Sequence, residues 1–310
     1  MALCALLVAA CDSSAGSTTT SSSRAKAATT TTTTIDLTKA YGVQRTTVTF
    51  VDKTRKTDDP NKIRSAPTRT LVTDIYLPNR SGPFPLIVFA HGANGHPRKF
   101  TQLLHAWARH GFVIAAPAFP LSNDRSGGPV AVGDYPNQAL DMRFVLEQVL
   151  TMSNAKNNAL SGKVDPEHVG VSGLSLGGAT TYGVAFNACC RDEHIDAAII
   201  LSGIKVPFGN TPFDFSGTPI LIMHGTNDPS IPYKTAPDAY AGASAPKYFV
   251  SLLGAGHAPP YENDPDPHDN VVIKVTTDFW NAYLRGDDTS TTKLVKDATV
   301  PMLSSVQYAR

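Results

Sequence analysis

The sequence predicts an α/β fold in which a mostly parallel sheet of eight strands carries helices on both faces. From about residue 41 onward, short apolar runs alternate with longer segments of helical periodicity. Chains that alternate strand and helix in this way form parallel sheets joined by right-handed crossovers. Hydrophobic residues make up 42% of the chain and charged residues 17%, which is typical of a globular protein.

The eight predicted strands are of two kinds. The first two, residues 46–51 and 70–77, alternate apolar and polar side chains and are assigned to an antiparallel edge. The other six are nearly continuous apolar runs, as expected for strands covered on both faces. These runs are residues 86–90, 112–116, 169–172, 197–201, 220–223 and 248–253.

Four segments between or after these runs are predicted helices. They comprise residues 98–110, 136–150, 175–187 and 271–284. The first places Phe100, Leu103, Leu104 and Trp107 on one face. The third is rich in small residues and is expected to pack closely against the sheet.

The charge balance excludes two classes of partner. The net charge is +1, and no run of lysine or arginine occurs. Surfaces that bind nucleic acid or anionic membranes are usually basic. We therefore expect no nucleic-acid partner.

The N-terminus predicts export. Residues 1–10, MALCALLVAA, form an apolar run that is too short to span a bilayer but resembles the core of a signal peptide. Residues 8–11, Val-Ala-Ala-Cys, resemble the lipobox of bacterial lipoproteins, which implies acylation of Cys11. A cleaved secreted protein or a chance apolar start are the alternatives.

Three regions follow from this pattern. Residues 1–11 are predicted to be a signal peptide with a lipobox cysteine, and residues 12–40 a disordered tether rich in serine and threonine. Residues 41–310 are the predicted catalytic domain. The expected location is the bacterial cell envelope or the extracellular space, with membrane contact only through Cys11.

Two of the four cysteines, Cys189 and Cys190, lie within the predicted domain. Their spacing does not fit a metal site. They are either two small, partly buried residues or a vicinal disulfide formed in an oxidising compartment. No metal and no cofactor are expected.

The most specific motif is Gly-Leu-Ser-Leu-Gly, residues 173–177. It follows a predicted strand and precedes a predicted helix, which is the context that the G-x-S-x-G motif requires. In so tight a turn, side chains at 173 and 177 would collide with neighbouring backbone. Ser175 is therefore the candidate nucleophile.

A serine hydroxyl needs a base, and His257 is the candidate. It ends the sequence Leu-Gly-Ala-Gly-His, residues 253–257, directly after the last apolar run. His224 and His91 each end a strand and are assigned structural roles, His91 as a brace for the loop that follows it. The other histidines are expected at the surface: His96, His105, His110, His168, His194 and His268.

The base needs a carboxylate to orient it, and Asp228 is the candidate. It lies in His-Gly-Thr-Asn-Asp-Pro, residues 224–229, just past the strand that precedes that of His257. The order Ser175, Asp228, His257 is that of α/β-hydrolases. Asp228 could instead be an ordinary turn residue, since Asn-Asp-Pro is a turn signature. Asp214 is the rival acid.

An oxyanion hole needs two backbone N–H donors. Leu176, the residue after the nucleophile, is expected to supply one. The second is assigned to Ala93 in the loop His-Gly-Ala-Asn-Gly, residues 91–95, whose small residues permit close approach to a carbonyl oxygen. The alternative is a plain turn at the end of a strand.

These motifs resemble the α/β-hydrolase superfamily from about residue 41 to the C-terminus. The strand end Phe-Ala-His-Gly, residues 89–92, the serine turn and the His-Gly-Thr-Asn-Asp loop are similar to those of dienelactone-hydrolase-like esterases. That neighbourhood includes platelet-activating-factor acetylhydrolase-like proteins and cutinase-type polyester hydrolases. The resemblance implies an α/β-hydrolase fold without a large cap domain.

The segment 202–218 is too short for a large lid. It carries Phe208, Phe213 and Phe215, which either bind substrate or anchor the core. The sequence thus predicts a monomeric serine esterase for short or medium acyl chains, acting on small-molecule or polymeric esters, with polyesters among the candidates. The alternatives are an amidase or peptidase, and a non-catalytic binding lipoprotein on a hydrolase fold.

Overall fold

The computed structural model describes residues 40–310. The predicted signal peptide, Cys11 and nearly all of the predicted tether lie outside these residues. Within residues 40–310, none of the helices combines the length and the apolar character that crossing a membrane requires.

A single sheet of nine strands forms the centre of the fold, in the spatial order β1-β2-β4-β3-β5-β6-β7-β8-β9. The strands are β1 (Val43–Asp52), β2 (Arg69–Pro78), β3 (Phe84–Ala90), β4 (Val113–Ala118), β5 (Val164–Leu174), β6 (Ile195–Leu201), β7 (Ile220–Gly225), β8 (Lys247–Leu252) and β9 (Ser304–Ala309). The five pairs from β4 to β8 are parallel. The pairs β1–β2, β2–β4 and β8–β9 are antiparallel.

Six α-helices surround the sheet. They are α1 (Thr101–Arg109), α2 (Tyr135–Asn154), α3 (Leu176–Phe186), α4 (Thr235–Gly242), α5 (Asp269–Arg285) and α6 (Asp288–Asp297). A 3-10 helix, Pro97–Phe100, leads into α1. The mixed, mostly parallel sheet confirms the predicted α/β-hydrolase architecture.

Helices cover both faces of the sheet. The indoles of Trp107 in α1 and Trp280 in α5 meet edge to face, with ring centroids 5.7 Å apart. Both belong to a buried cluster with Ile87 and Phe89 of β3, so α1 and α5 lie on the same face. Helices α2 and α3 contact β3 and β5 as well as each other, and they cover the opposite face.

The predicted strand number of eight is wrong, because β9 was not recognised. Its sequence Ser-Ser-Val-Gln-Tyr-Ala is short and polar, and only its first residue is buried. It is ordered by pairing with β8 over six residues. The helices α4 and α6 were also missed: α4 contains a proline, and α6 is mostly polar.

Candidate active site

Four parallel strands end at one edge of the sheet, and a motif follows each of them. β3 ends at Ala90, β5 at Leu174, β7 at Gly225 and β8 at Leu252. Ligands of open α/β sheets bind outside the carboxyl ends of the strands. The fold therefore brings the predicted loops to a single edge.

The serine lies in a strained turn between β5 and α3. The backbone of Ser175 has φ 58° and ψ −116°, a conformation that costs energy for any residue with a side chain. A Cβ at Gly173 would lie 2.4 Å from the Gly177 carbonyl oxygen, and one at Gly177 would lie 2.1 Å from that of Ala90. Glycine is required at both positions because the neighbouring backbone occupies this space.

The structure brings His257 and Asp228 together. His257 Nδ1 lies 2.6 Å from Asp228 Oδ2. The other carboxylate oxygen accepts the backbone N–H groups of Ser230 and Ile231 at 2.8 and 2.9 Å. Burial raises the pKa of Asp228, but these hydrogen bonds outweigh burial and hold the pKa below its ordinary value. Asp228 is therefore ionised at neutral pH and fixes the Nδ1–H tautomer of His257.

The loops that carry these two residues are joined by backbone hydrogen bonds. Asn227 N–H donates to Ala255 O at 3.0 Å, and Thr226 N–H donates to Leu252 O at 2.9 Å. A Cβ at Gly225 would lie only 2.4 Å from Ala255 O. Close backbone contact therefore sets the distance between the acid and the base.

A second imidazole contacts the same carboxylate. His224 is fully buried, and its Nε2 lies 3.2 Å from Asp228 Oδ2 and 3.1 Å from Ile231 O. Burial lowers the pKa of His224, so the ring is neutral at neutral pH. Because both atoms beside Nε2 are acceptors, Nε2 carries the proton. The sequence predicts a structural residue here, but no motif signals the contact with the acid.

The rival acid, Asp214, is exposed. Its carboxylate pairs with Arg191 at 3.0 Å and accepts hydrogen bonds from Ser216. The structure therefore gives His257 the partner Asp228 and not Asp214.

The predicted oxyanion loop, residues 91–95, lies against the serine. A Cβ at Gly92 would lie 3.3 Å from the Cβ of Ser175. In the described part of the chain, the N–H groups of Ala93 and Leu176 donate to no protein acceptor. Ala93 is exposed, and Ser175 is partly exposed. The assignment of these two donors stays a prediction.

His91 joins the ends of β3 and β4. It is fully buried, its Nδ1 lies 2.7 Å from Gly92 O, and its Nε2 accepts the Phe119 N–H at 3.0 Å. Burial lowers the pKa of His91 to about 4, so the ring stays neutral. A neutral imidazole can donate at one nitrogen and accept at the other, which is what a brace between two loops requires.

Two histidines expected at the surface are buried. His96 is the N-cap of the 3-10 helix, where Nδ1 accepts the Arg98 N–H at 3.2 Å. His268 lies 2.6 Å from Asp266 Oδ1 and donates through Nε2 to Leu253 O at 3.0 Å. Both are satisfied by local hydrogen bonds, which composition does not reveal.

The three phenylalanines predicted to bind substrate lie together along α3. Phe208 is buried against Gly183, where a Cβ would lie 2.3 Å from its ring. Phe213 and Phe215 stack with centroids 6.0 Å apart, and Phe215 contacts Phe186 at 4.7 Å. At 1.5 Å per residue, Phe186 lies roughly 16 Å along the helix from Ser175. These contacts favour the core-anchor alternative, and the substrate-binding role stays a prediction.

The two adjacent cysteines form a disulfide. Cys189 and Cys190 are joined in the turn after α3, with Cα atoms 3.8 Å apart. Of the two alternatives left open by the sequence, the structure contains the vicinal disulfide. No group of three or more histidine, cysteine or acidic residues within residues 40–310 could hold a metal ion.

Comparison with protein families gives a match. A family model described as Chlorophyllase matches residues 39–205, just over half of the chain. The match includes the oxyanion loop and Ser175 but ends before Asp228 and His257. No curated protein matches the chain.

Proposed function

We propose that this chain, which belongs to the chlorophyllase family, is a serine esterase that forms an acyl-enzyme on Ser175. The family is of the α/β-hydrolase type and acts on esters, so the superfamily expected from the sequence is confirmed. The nucleophile, the mechanism and the substrate range remain our proposal.

One observation carries the proposal: the strained Ser175 lies at the same sheet edge as a His257–Asp228 pair whose Nδ1–Oδ2 distance is 2.6 Å. A strained serine alone could be a structural turn, and a histidine–aspartate pair alone could be structural. An exposed nucleophile needs both a base and a residue that orients the base.

In the first half of the proposed reaction, Ser175 Oγ attacks the ester carbonyl carbon while His257 Nε2 accepts the hydroxyl proton. The ionised Asp228 stabilises the imidazolium that forms. The carbonyl oxygen becomes an oxyanion, which the N–H groups of Ala93 and Leu176 stabilise. When the tetrahedral intermediate collapses, the carbon–oxygen bond to the alcohol breaks, and the imidazolium protonates the departing alkoxide.

The second half releases the acid. His257, neutral again, accepts a proton from water as the water oxygen attacks the acyl-enzyme. The second tetrahedral intermediate uses the same two N–H donors. Its collapse breaks the bond to Ser175 Oγ, which recovers its proton from His257, and the carboxylic acid leaves.

We propose that the substrates are esters of short or medium acyl chains, including exposed ends of polymers. This is supported by the accessibility of the site, because Ala93 is exposed and Ser175 is partly exposed. It is also supported by the connection between β6 and β7, residues 202–219, which contains no helix. A segment without a helix leaves little material to enclose a bulky triglyceride.

We further propose that the protein is exported, anchored through an acylated Cys11 and active as a monomer. The support for the anchor is the apolar run and the lipobox-like sequence before Cys11. The disulfide Cys189–Cys190 agrees with an oxidising compartment.

The test is a panel of p-nitrophenyl esters from acetate to palmitate, matched p-nitroanilides, and chlorophyll, to which the family name refers. We expect hydrolysis that is fastest for the short and medium esters and at least about 100-fold slower for the anilides. A serine-directed fluorophosphonate should label Ser175 alone. Faster anilide cleavage would favour the amidase alternative, and absence of both hydrolysis and labelling would favour a binding protein.

A further inference from the structure

We propose that Gln138 is a positioning residue that holds the two N–H donors of the oxyanion hole at their working separation. The inference rests on the proposed roles of Ser175, Ala93 and Leu176. Gln138 lies in the first turn of α2 and is fully buried. Its amide group makes hydrogen bonds to two different parts of the site.

The first bond connects Gln138 to the oxyanion loop. Gln138 Nε2 donates to Ser122 Oγ at 2.9 Å, in the segment that follows β4. The Ser122 carbonyl accepts the Asn94 N–H at 2.8 Å, and Asp124 N–H donates to Gly95 O at 2.9 Å. The segment after β4 is therefore joined to the oxyanion loop by two backbone bonds, and Gln138 holds that segment from behind.

The second bond connects Gln138 to the helix that begins at the nucleophile. Thr180 Oγ1 donates to Gln138 Oε1 at 3.0 Å, and it shares its single hydroxyl hydrogen with Leu176 O, also at 3.0 Å. Thr180 is thus one turn along α3 from the residue whose N–H is the other proposed donor. All three side chains of this chain of contacts, those of Ser122, Gln138 and Thr180, are fully buried.

These contacts close a ring around the oxyanion hole. Starting from Ser175, the ring passes along α3 to Gln138, then through the segment after β4 to the oxyanion loop. It returns where Gly92 approaches within van der Waals distance of Ser175. Within this ring, Gln138 is the side chain that bonds both to the segment after β4 and to α3. Its Nε2 donates to Ser122, and its Oε1 accepts from Thr180.

Glutamine suits this position for a chemical reason. An amide is a donor at one end and an acceptor at the other, so it can bond to Ser122 and Thr180 at the same time. A buried polar network in which every member is satisfied fixes one arrangement of the surrounding elements. An apolar residue of the same length would fill the space but leave α3 and the segment after β4 free to shift relative to each other.

The consequence concerns the transition state more than substrate binding. Oxyanion donors act at about 2.7–3.1 Å from the charged oxygen, and displacement by about 1 Å costs rate. The uncharged ester carbonyl depends much less on this geometry. Loss of Gln138 should therefore lower kcat and leave KM nearly unchanged.

The experiment compares the full chain with its Gln138→Met variant. We expect kcat to fall about 10- to 100-fold, somewhat less than the loss of one oxyanion donor, with KM within about threefold. Phenylboronic acid bonds to a catalytic serine as a tetrahedral adduct, so its affinity should fall by a similar factor.

Ser153→Ala is the matched control, because it removes a buried 3.0 Å bond from Val164 N–H at the far end of α2. Its kcat and boronate affinity should match the wild type.

A second variant, Gln138→Glu, gives a signature that a purely structural role would not give. A protonated carboxylic acid donates and accepts as the amide does, whereas the ionised form loses its donor. Burial raises the pKa of a carboxyl group. The ratio of its kcat/KM to that of the wild type should therefore rise as pH falls, while the ratio for Gln138→Met stays constant.

The outcomes are distinct. Wild-type kcat and boronate affinity in Gln138→Met would overturn the inference, as would losses equal to those of Ser153→Ala. If Gln138→Met does not fold, the pH dependence of Gln138→Glu decides. If the wild type neither hydrolyses esters nor reacts at Ser175 with the fluorophosphonate, the proposed function itself fails and the inference falls with it.

Discussion

The two halves of the candidate site are held in place in different ways. Asp228 and His257 lie on loops after neighbouring strands, β7 and β8, and these loops bond directly to each other through their backbones. The oxyanion loop and Leu176 follow β3 and β5, which are also neighbours. Their spacing, however, depends on side chains from α2, α3 and the segment after β4.

This difference has a physical consequence. A backbone connection between adjacent loops survives most side-chain substitutions, so the acid–base half should fail mainly when a reacting side chain or Gly225 is changed. The oxyanion half depends on buried polar contacts between residues far apart in sequence, such as Ser122 and Gln138. The kcat of the enzyme should therefore fall stepwise as those contacts are removed.

The largest expected effect is on the acid–base half. In Asp228→Asn the side chain keeps its shape but favours the wrong tautomer of His257, so kcat should fall on the order of 10³- to 10⁴-fold, by analogy with other serine hydrolases. Steady-state kinetics with a p-nitrophenyl ester measures this. Asp214→Asn, at an exposed acid, is the matched control and should retain wild-type kcat. The reverse pattern would show that the wrong acid has been assigned.

An intermediate effect is expected from the backbone of the oxyanion half. A Cβ at Gly95 would lie 2.8 Å from Gly92 O and 3.1 Å from His91 Nδ1, so Gly95→Ala must displace the oxyanion loop. We expect kcat to fall about 10- to 100-fold with little change in KM.

The matched control for Gly95→Ala is Gly133→Ala, because a Cβ at Gly133 meets nothing within 4 Å. It should leave kcat unchanged. If Gly95→Ala also keeps wild-type kcat, the loop does not supply an oxyanion donor, and the contrast between the two halves disappears.

The sequence places the three proposed reacting side chains in local motifs but gives no sign of the residues that support them. Ser175, Asp228 and His257 lie in short motifs at strand ends, where the strand order brings them to one edge. The nucleophile needs glycines at fixed positions, so its turn leaves a local pattern. Gln138 and His224 leave no such pattern, because their roles depend on partners that only the folded chain brings near.

The same limit applies to the fold. The buried strand β3 is a continuous apolar run, and its predicted bounds lie within two residues of the observed ones at each end. The start of β5 lies five residues before its predicted start, because the first residues of that strand are mostly polar and partly exposed. β9 was missed because its order comes from pairing with β8 and not from its own composition. The aromatic residues Phe213 and Phe215 looked equally suited to a pocket or a core, and only their ring contacts favour one alternative.

A third region, near the edge of the sheet opposite the catalytic edge, contains a carboxyl group through which pH should change stability without changing the chemistry at the candidate site. Asp278 in α5 lines a cavity of about 240 Å³ with His110, which follows α1, and Lys293 of α6. Its Oδ2 is buried without a hydrogen-bond partner. Burial, together with the charge of Asp297, raises the pKa of Asp278 to about 7. Helix α1 runs away from the catalytic edge of the sheet, so this cavity lies near the opposite edge.

The smallest effect on activity, and a distinct one on stability, is expected from Asp278→Asn. Because the folded protein binds the proton of Asp278 more tightly than the unfolded chain does, this group favours folding fully below about pH 4 and progressively less as pH rises to about 7. The wild type should therefore lose melting temperature over that window, whereas the asparagine variant should lose less and exceed the wild type at pH 8. Melting curves of both proteins at pH 4, 6 and 8 measure the difference. At temperatures where both are folded, kcat should be equal at every pH, because Asp278 touches neither half of the site. A kcat difference at pH 8 would mean that this cavity communicates with the catalytic edge, and the two halves could no longer be treated as the whole of the site.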